Sequence, residues 1–162
     1  MPACQKVDHD FLHNAPVVII NSVEINARPE TIFKSFENAD DWPRWFDGMT
    51  KVEWTGPKPF GVGTTRTVTL GPLKVYEYFT RWEENRRFSF YFTKTNLPFV
   101  NALMEDYLLE PISDQVTRFT YTVAYEPRFP VSLLGPVGKF MLSRNFKKAA
   151  QSCARFMPAL SS

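Results

Sequence analysis

Only two cysteines and two histidines occur in the 162 residues, and their positions close off several chemistries. Cys4 and Cys153 stand near opposite ends of the chain, make no disulfide framework and match no zinc spacing, so a reducing compartment is expected. His9 and His13 are four apart and flanked by Asp8 and Asp10, a pattern that could set two imidazoles on one helical face. No third ligand cluster follows them, so no metal and no other cofactor is expected. Both histidines precede the first strand, which leaves no Ser-His-Asp or Cys-His arrangement inside the domain. Charge of one sign is scarce as well. A net charge of +2 is too small for the clustered basic footprint of a nucleic-acid binder. No run has the apolar length of a membrane span, and the first fifteen residues carry Lys6, Asp8 and Asp10 where a secretory signal needs an apolar stretch. A cytoplasmic protein is expected. Gly61-Val62-Gly63 lacks the further glycine and Lys-Thr/Ser of a phosphate loop and reads as a hairpin turn.

Aromatic residues are what the chain has in plenty: fifteen Phe, six Tyr and four Trp, 15% of the total. Such large, stiff, partly polar side chains suit either the lining of a cavity or a dense core. Length and composition fit one domain over residues 16–158, preceded by a flexible arm over residues 1–15. The β-branched run from Val17 to Asn26 predicts a first strand. Pro29 and Glu30 open a helix carrying Ile32, Phe33 and Phe36 on one face, and a second short helix is predicted from Asp40 to Phe46. From Met49 the apolar period becomes two, predicting strands at 50–55, 64–70, 73–82, 87–93, 103–110 and 116–126. Their links are too short for parallel crossovers, so the strands must pair antiparallel. Lys94 to Asn101 is too long for a tight hairpin and reads as a flap. A long helix from about Gly138 to Met157 carries the stripe Leu142, Phe146, Ala149, Ala150, Cys153 and Met157, which needs the sheet face as cover.

Ala27-Arg28-Pro29-Glu30-Thr31-Ile32-Phe33, Asp41-Trp42-Pro43-Arg44-Trp45, Gly61-Val62-Gly63-Thr64 and Trp82-Glu83-Glu84-Asn85-Arg86-Arg87-Phe88 follow one another at a spacing that resembles the START-like superfamily, within it the polyketide cyclase/dehydrase and lipid-transport group. The likeness spans about Val17 to Met157, though the last phrase lacks the prolines common at that turn. It implies an α+β helix-grip fold: a curved antiparallel sheet of about seven strands wrapped around a long C-terminal helix, with two short helices after strand 1. It also implies a hydrophobic small-molecule ligand. The group contains cyclases, lipid and hormone binders and quinone-binding proteins, so activity has to be argued from the site.

Alternation assigns one side of each strand to the interior. Phe119, Tyr121, Val123 and Tyr125 share a side, as do Phe88, Phe90 and Phe92, Arg66 and Val68, Val52 and Trp54, and Leu103, Glu105, Tyr107 and Leu109. The expected ligand-binding set is Trp54, Val68, Phe90, Phe92, Glu105, Tyr107, Phe119, Tyr121 and Phe146. A buried Glu105 would need a partner such as Arg66 or a tyrosine hydroxyl, or else titrate high. So placed, Glu105 could act as a general base with Tyr107 and Arg66, the working groups of an aromatase/cyclase, whereas a Glu105 facing solvent would have no such role. The three functional readings are a carrier of a lipid-, polyketide- or quinone-like molecule, a polyketide aromatase/cyclase, and a quinone-binding protein that docks on a membrane or a protein partner. Lys139, Arg144, Lys147, Lys148 and Arg155 on the last helix read first as a solvated face and otherwise as an anionic-membrane contact. A monomer or homodimer is expected.

Overall fold

The computed structural model describes residues 1–161. In chain order these form α1 (Phe11–Asn14), β1 (Val17–Ile25), α2 (Pro29–Glu37), α3 (Trp42–Trp45), β2 (Met49–Thr55), β3 (Thr65–Leu70), β4 (Leu73–Glu83), β5 (Arg87–Thr95), β6 (Val100–Ser113), β7 (Val116–Pro127) and α4 (Gly135–Phe156), with 3-10 turns at Val131–Leu134 and Met157–Ser161. All seven strands pair antiparallel in one sheet of order β1-β7-β6-β5-β4-β3-β2. This is the α+β helix-grip arrangement, with α4 laid over one side of the sheet and packed against β1 and α3.

Several boundaries differ from the sequence pattern for local reasons. β6 is longer than expected because its pairing with β7 continues from Val100 opposite Pro127 to Ser113 opposite Val116. The second short helix contracts to Trp42–Trp45 because Phe46 is already extended, with ψ 104°. α4 begins at Gly135, about one turn before Gly138. The β3–β4 turn is tight: Leu70 pairs with Leu73, and Gly71 takes φ +57°, a conformation that suits glycine.

A bulge in β4 sets its inner face. Phe79 pairs with Phe90 and Arg81 with Ser89, so Thr80 is an extra residue that switches the alternation. Trp82 therefore packs inward against Phe79 and Phe88, while Arg81 lies outside beside Asp106 at 3.6 Å.

The arm over residues 1–15 lies against the sheet. The Cys4 amide donates to the Thr93 carbonyl at 2.9 Å and the Gln5 amide to that of Asn101 at 2.8 Å, and His9 Nε2 lies 3.0 Å from Thr80 Oγ1. Leu12 of α1 is buried with Tyr91, Met104 and Ala124 on the outer side of the sheet. Those three apolar residues would otherwise face water, and covering them holds the arm down.

Candidate ligand cavity

Under α4 the inner side of the sheet is hollow over part of its length, leaving a partly open cavity of about 410 Å³. The strands supply Phe92, Val100, Leu103 and Tyr125. The segment between β5 and β6 adds Leu97 and Phe99, the β3–β4 hairpin adds Leu70 and Leu73, and α3 with the residue after it adds Trp45 and Phe46. α4 closes the space with Leu142, Phe146 and Ala149. Asp47 and Lys148 also border it, but both are exposed and bound to each other at 3.1 Å. Glu105, only 7% exposed, is the one buried charged residue of the wall among the described residues.

Behind Glu105 runs a buried polar row. The Tyr121 hydroxyl donates to Glu105 Oε2 at 2.8 Å. Arg66 Nε donates to Glu77 Oε2 at 2.6 Å, and the Arg66 guanidinium is boxed by the rings of Trp42, Trp54, Phe79 and Phe90, 4.4 to 5.4 Å from their centroids. Arg66 Nη1 has no hydrogen-bond partner among the described residues.

One buried cation thus faces two buried carboxyls, and charge balance favours ionising only one of them. Glu77 holds the salt bridge. Burial raises its pKa, and the charge and hydrogen bond of Arg66 oppose that rise. Glu105 is pushed up to about 8, first by burial and then by the Glu77 charge, against the Tyr121 hydrogen bond, the Arg66 charge and a hydrogen bond from Tyr107. Burial and the nearby Glu105 charge hold both tyrosine hydroxyls well above their ordinary value, so both are proton donors at neutral pH.

Of the residues expected to bind ligand, Phe92, Glu105 and Phe146 border the cavity. Tyr107 and Tyr121 stand behind Glu105. Val68, Phe90 and Phe119 are buried in the packed core beside the cavity, and Trp54 stacks on Phe60 at 4.3 Å beside Arg66. Glu77 was not among the expected residues, yet the tight Leu70–Leu73 turn carries the register that sets it opposite Arg66. Leu97 and Phe99 of the predicted flap were also missed, because a segment without periodicity shows no inward side.

The model of the polyketide cyclase/dehydrase and lipid transport family matches residues 17–157, and the chain belongs to that family. Uncharacterized proteins of Mycobacterium tuberculosis and Mycobacterium bovis are 38% identical to it over 125 residues, 76% of this chain and 74% of theirs. Among solved structures, a START superfamily protein from Mycobacterium smegmatis superposes with a TM-score of 0.75 at 14% identity, over 88% of this chain and 98% of that one. The Zhui aromatase/cyclase from Streptomyces sp. R1128 does so with a TM-score of 0.72 at 10% identity, over 90% and 96%. At such identities the superpositions speak for the fold alone. Among the described residues no helix is long and apolar enough to cross a membrane.

Proposed function

We propose that the chain is a cytoplasmic carrier that binds one apolar, ring-bearing small molecule of lipid, polyketide or quinone type in the cavity under α4. The observation that carries this reading is a space of about 410 Å³ with a mostly aliphatic and aromatic wall and a single buried carboxyl, Glu105, at one place in it. That volume lies within the range usual for small-molecule sites, roughly 300 to 1,000 Å³. With its pKa near 8, Glu105 is mostly uncharged at neutral pH and can donate a hydrogen bond to a ligand carbonyl or hydroxyl. Titration with anilinonaphthalene sulfonate, followed by displacement with candidate apolar ligands, tests the reading. Saturable one-to-one binding is expected, together with its loss in Leu103→Trp, which fills the space. A folded parent with no saturable binding refutes it.

The same carboxyl favours a second reading, an aromatase/cyclase-type enzyme. A base with a pKa near 8 on an apolar wall is suited to removing a proton from the carbon beside a ketone, with Tyr107 supporting the carboxyl and Arg66 supplying a buried positive field. Glu105→Gln keeps shape and hydrogen-bonding reach but cannot take the proton, so turnover of a polyketone would fall by about a hundredfold or more. Ligand binding by a carrier would change little.

A further inference from the structure

Among the described residues ten large apolar side chains are exposed, and six of them lie between Phe129 and Met141: Phe129, Leu133, Leu134, Val137, Phe140 and Met141. The other four, Met1, Ile20, Val62 and Ile112, are scattered singly along the chain. Scattered exposure is ordinary for a soluble domain, whereas a concentration of this kind marks an interaction surface. Helical spacing explains how it arises. Leu142, Phe146 and Ala149 turn one side of α4 to the sheet, so Val137, Phe140 and Met141 fall on the opposite side, followed one to two turns later by Arg144 and Lys147.

From Arg128 to Met157 the chain contains no acidic residue, and Arg144 and Lys147 are exposed. Lys148 is held by Asp47, but no ion pair involves Arg144 or Lys147 among the described residues. The result is an apolar tip with a basic collar behind it. The tip also adjoins a second hollow of about 460 Å³, lined in part by Gly135, Pro136 and Lys139, which shares Phe99, Tyr125 and Leu142 with the ligand cavity.

We infer that the 3-10 turn at Val131–Leu134 and the first half of α4 dock on a lipid bilayer rich in anionic headgroups. The apolar tip enters the interface, the basic collar meets the phosphates, and the shared Phe99–Tyr125–Leu142 side of the cavity faces the membrane. A second copy of the chain fits this surface less well, because a two-fold contact through it would bring the basic collars of both copies together. The inference stands on the surface and holds whatever molecule occupies the cavity.

Flotation of the full chain with vesicles tests it, using phosphatidylcholine alone and equal parts of phosphatidylcholine and phosphatidylglycerol. Binding is expected to the anionic vesicles only and to weaken with added salt. Leu133→Glu with Phe140→Glu should bring binding to background. Arg144→Glu with Lys147→Glu should weaken it by roughly tenfold or more. Neither pair borders the cavity, so both variants should retain the parent's melting curve and its anilinonaphthalene sulfonate titration. The second pair decides the matter if the first fails to fold. The inference is overturned if the parent does not float with anionic vesicles, or if the folded variants float as well as the parent. It is equally overturned if sedimentation shows a dimer that the substitutions dissociate while no vesicle binding occurs.

Discussion

The inner side of the sheet has two unlike ends. At one, Phe33, Phe36, Trp42, Phe88, Tyr107 and Phe119 are packed ring against ring with centroids 4.8 to 5.9 Å apart. At the other, Phe92, Leu97, Leu103, Leu142 and Phe146 surround empty space. Both ends are apolar and both face α2, α3 or α4. The difference lies in what covers them. α2 and α3 bring Phe33, Phe36 and Trp42 into the first end, whereas the second receives only Trp45 from α3 and, from α4, the half-buried Leu142 and Phe146 beside the smaller Asn145, Ala149 and Ser152. Small residues on the covering helix leave the hollow, and Glu105 sits on its wall.

The largest effect on this arrangement should come from removing the cover altogether. A chain ending before Gly138 loses buried Ala149, Ala150, Cys153 and Met157. It should show no cooperative denaturant transition, because net stabilities of ~5 to 15 kcal/mol leave little room for losing a whole layer. A cooperative transition in the truncated chain would mean that the packed end folds without its lid.

Glu105 should give the next largest effect, and it depends on pH. Its folded pKa of about 8 lies above the ordinary 4.5, so the folded state holds this proton more tightly than the unfolded chain does. Stability from this group is full below pH 4.5 and is lost as pH rises to about 8, a change on the order of 5 kcal/mol. Denaturant melts across that window should therefore show the parent weakening relative to Glu105→Gln, with the two nearest each other in acid. Parallel curves throughout would place the carboxyl in contact with water.

Substitutions at the two ends then sharpen the contrast. Phe88→Ala removes a ring in contact with Phe33, Phe36, Phe79 and Tyr107 and should cost about 3 to 5 kcal/mol. Phe146→Ala only widens an existing space, so about 1 to 2 kcal/mol is expected, with a larger proportional loss of probe affinity. Chemical denaturation of both, with and without bound probe, measures the difference. Equal costs would erase the distinction between the ends.

Much of this was legible in the sequence, and the reasons are local. Period-two alternation separates Leu103, Glu105 and Tyr107 from Met104 and Asp106, and the structure keeps them on opposite sides of the sheet. Short links dictated antiparallel pairing. Depth was not legible. Phe90 and Phe92 share a side of β5, yet Phe90 is packed against Phe79 and Phe88 while Phe92 borders the cavity, a distinction made by helices far away in sequence. The Thr80 bulge was hidden because one extra residue reverses alternation without any compositional mark. The contacts of the arm were not legible, because Val7, Phe11 and Leu12 show no repeat and only the apolar outer patch at Tyr91, Met104 and Ala124 gives them a place to go.

Cys153 has a consequence for measurement. It lies fully buried where α4 meets the sheet, and burial drives its thiol far above the ordinary range, so a thiol reagent in solution reaches no thiolate there while the helix is seated. Its labelling rate is therefore a clock for helix departure, readable by mass in the unmodified chain. Cys4, half-exposed on the N-terminal arm and packed at the margin of the same core, supplies a second time base that does not depend on α4. A ligand that slowed modification of Cys153 while leaving Cys4 unchanged would locate, without any engineered label, the door through which the cavity is entered.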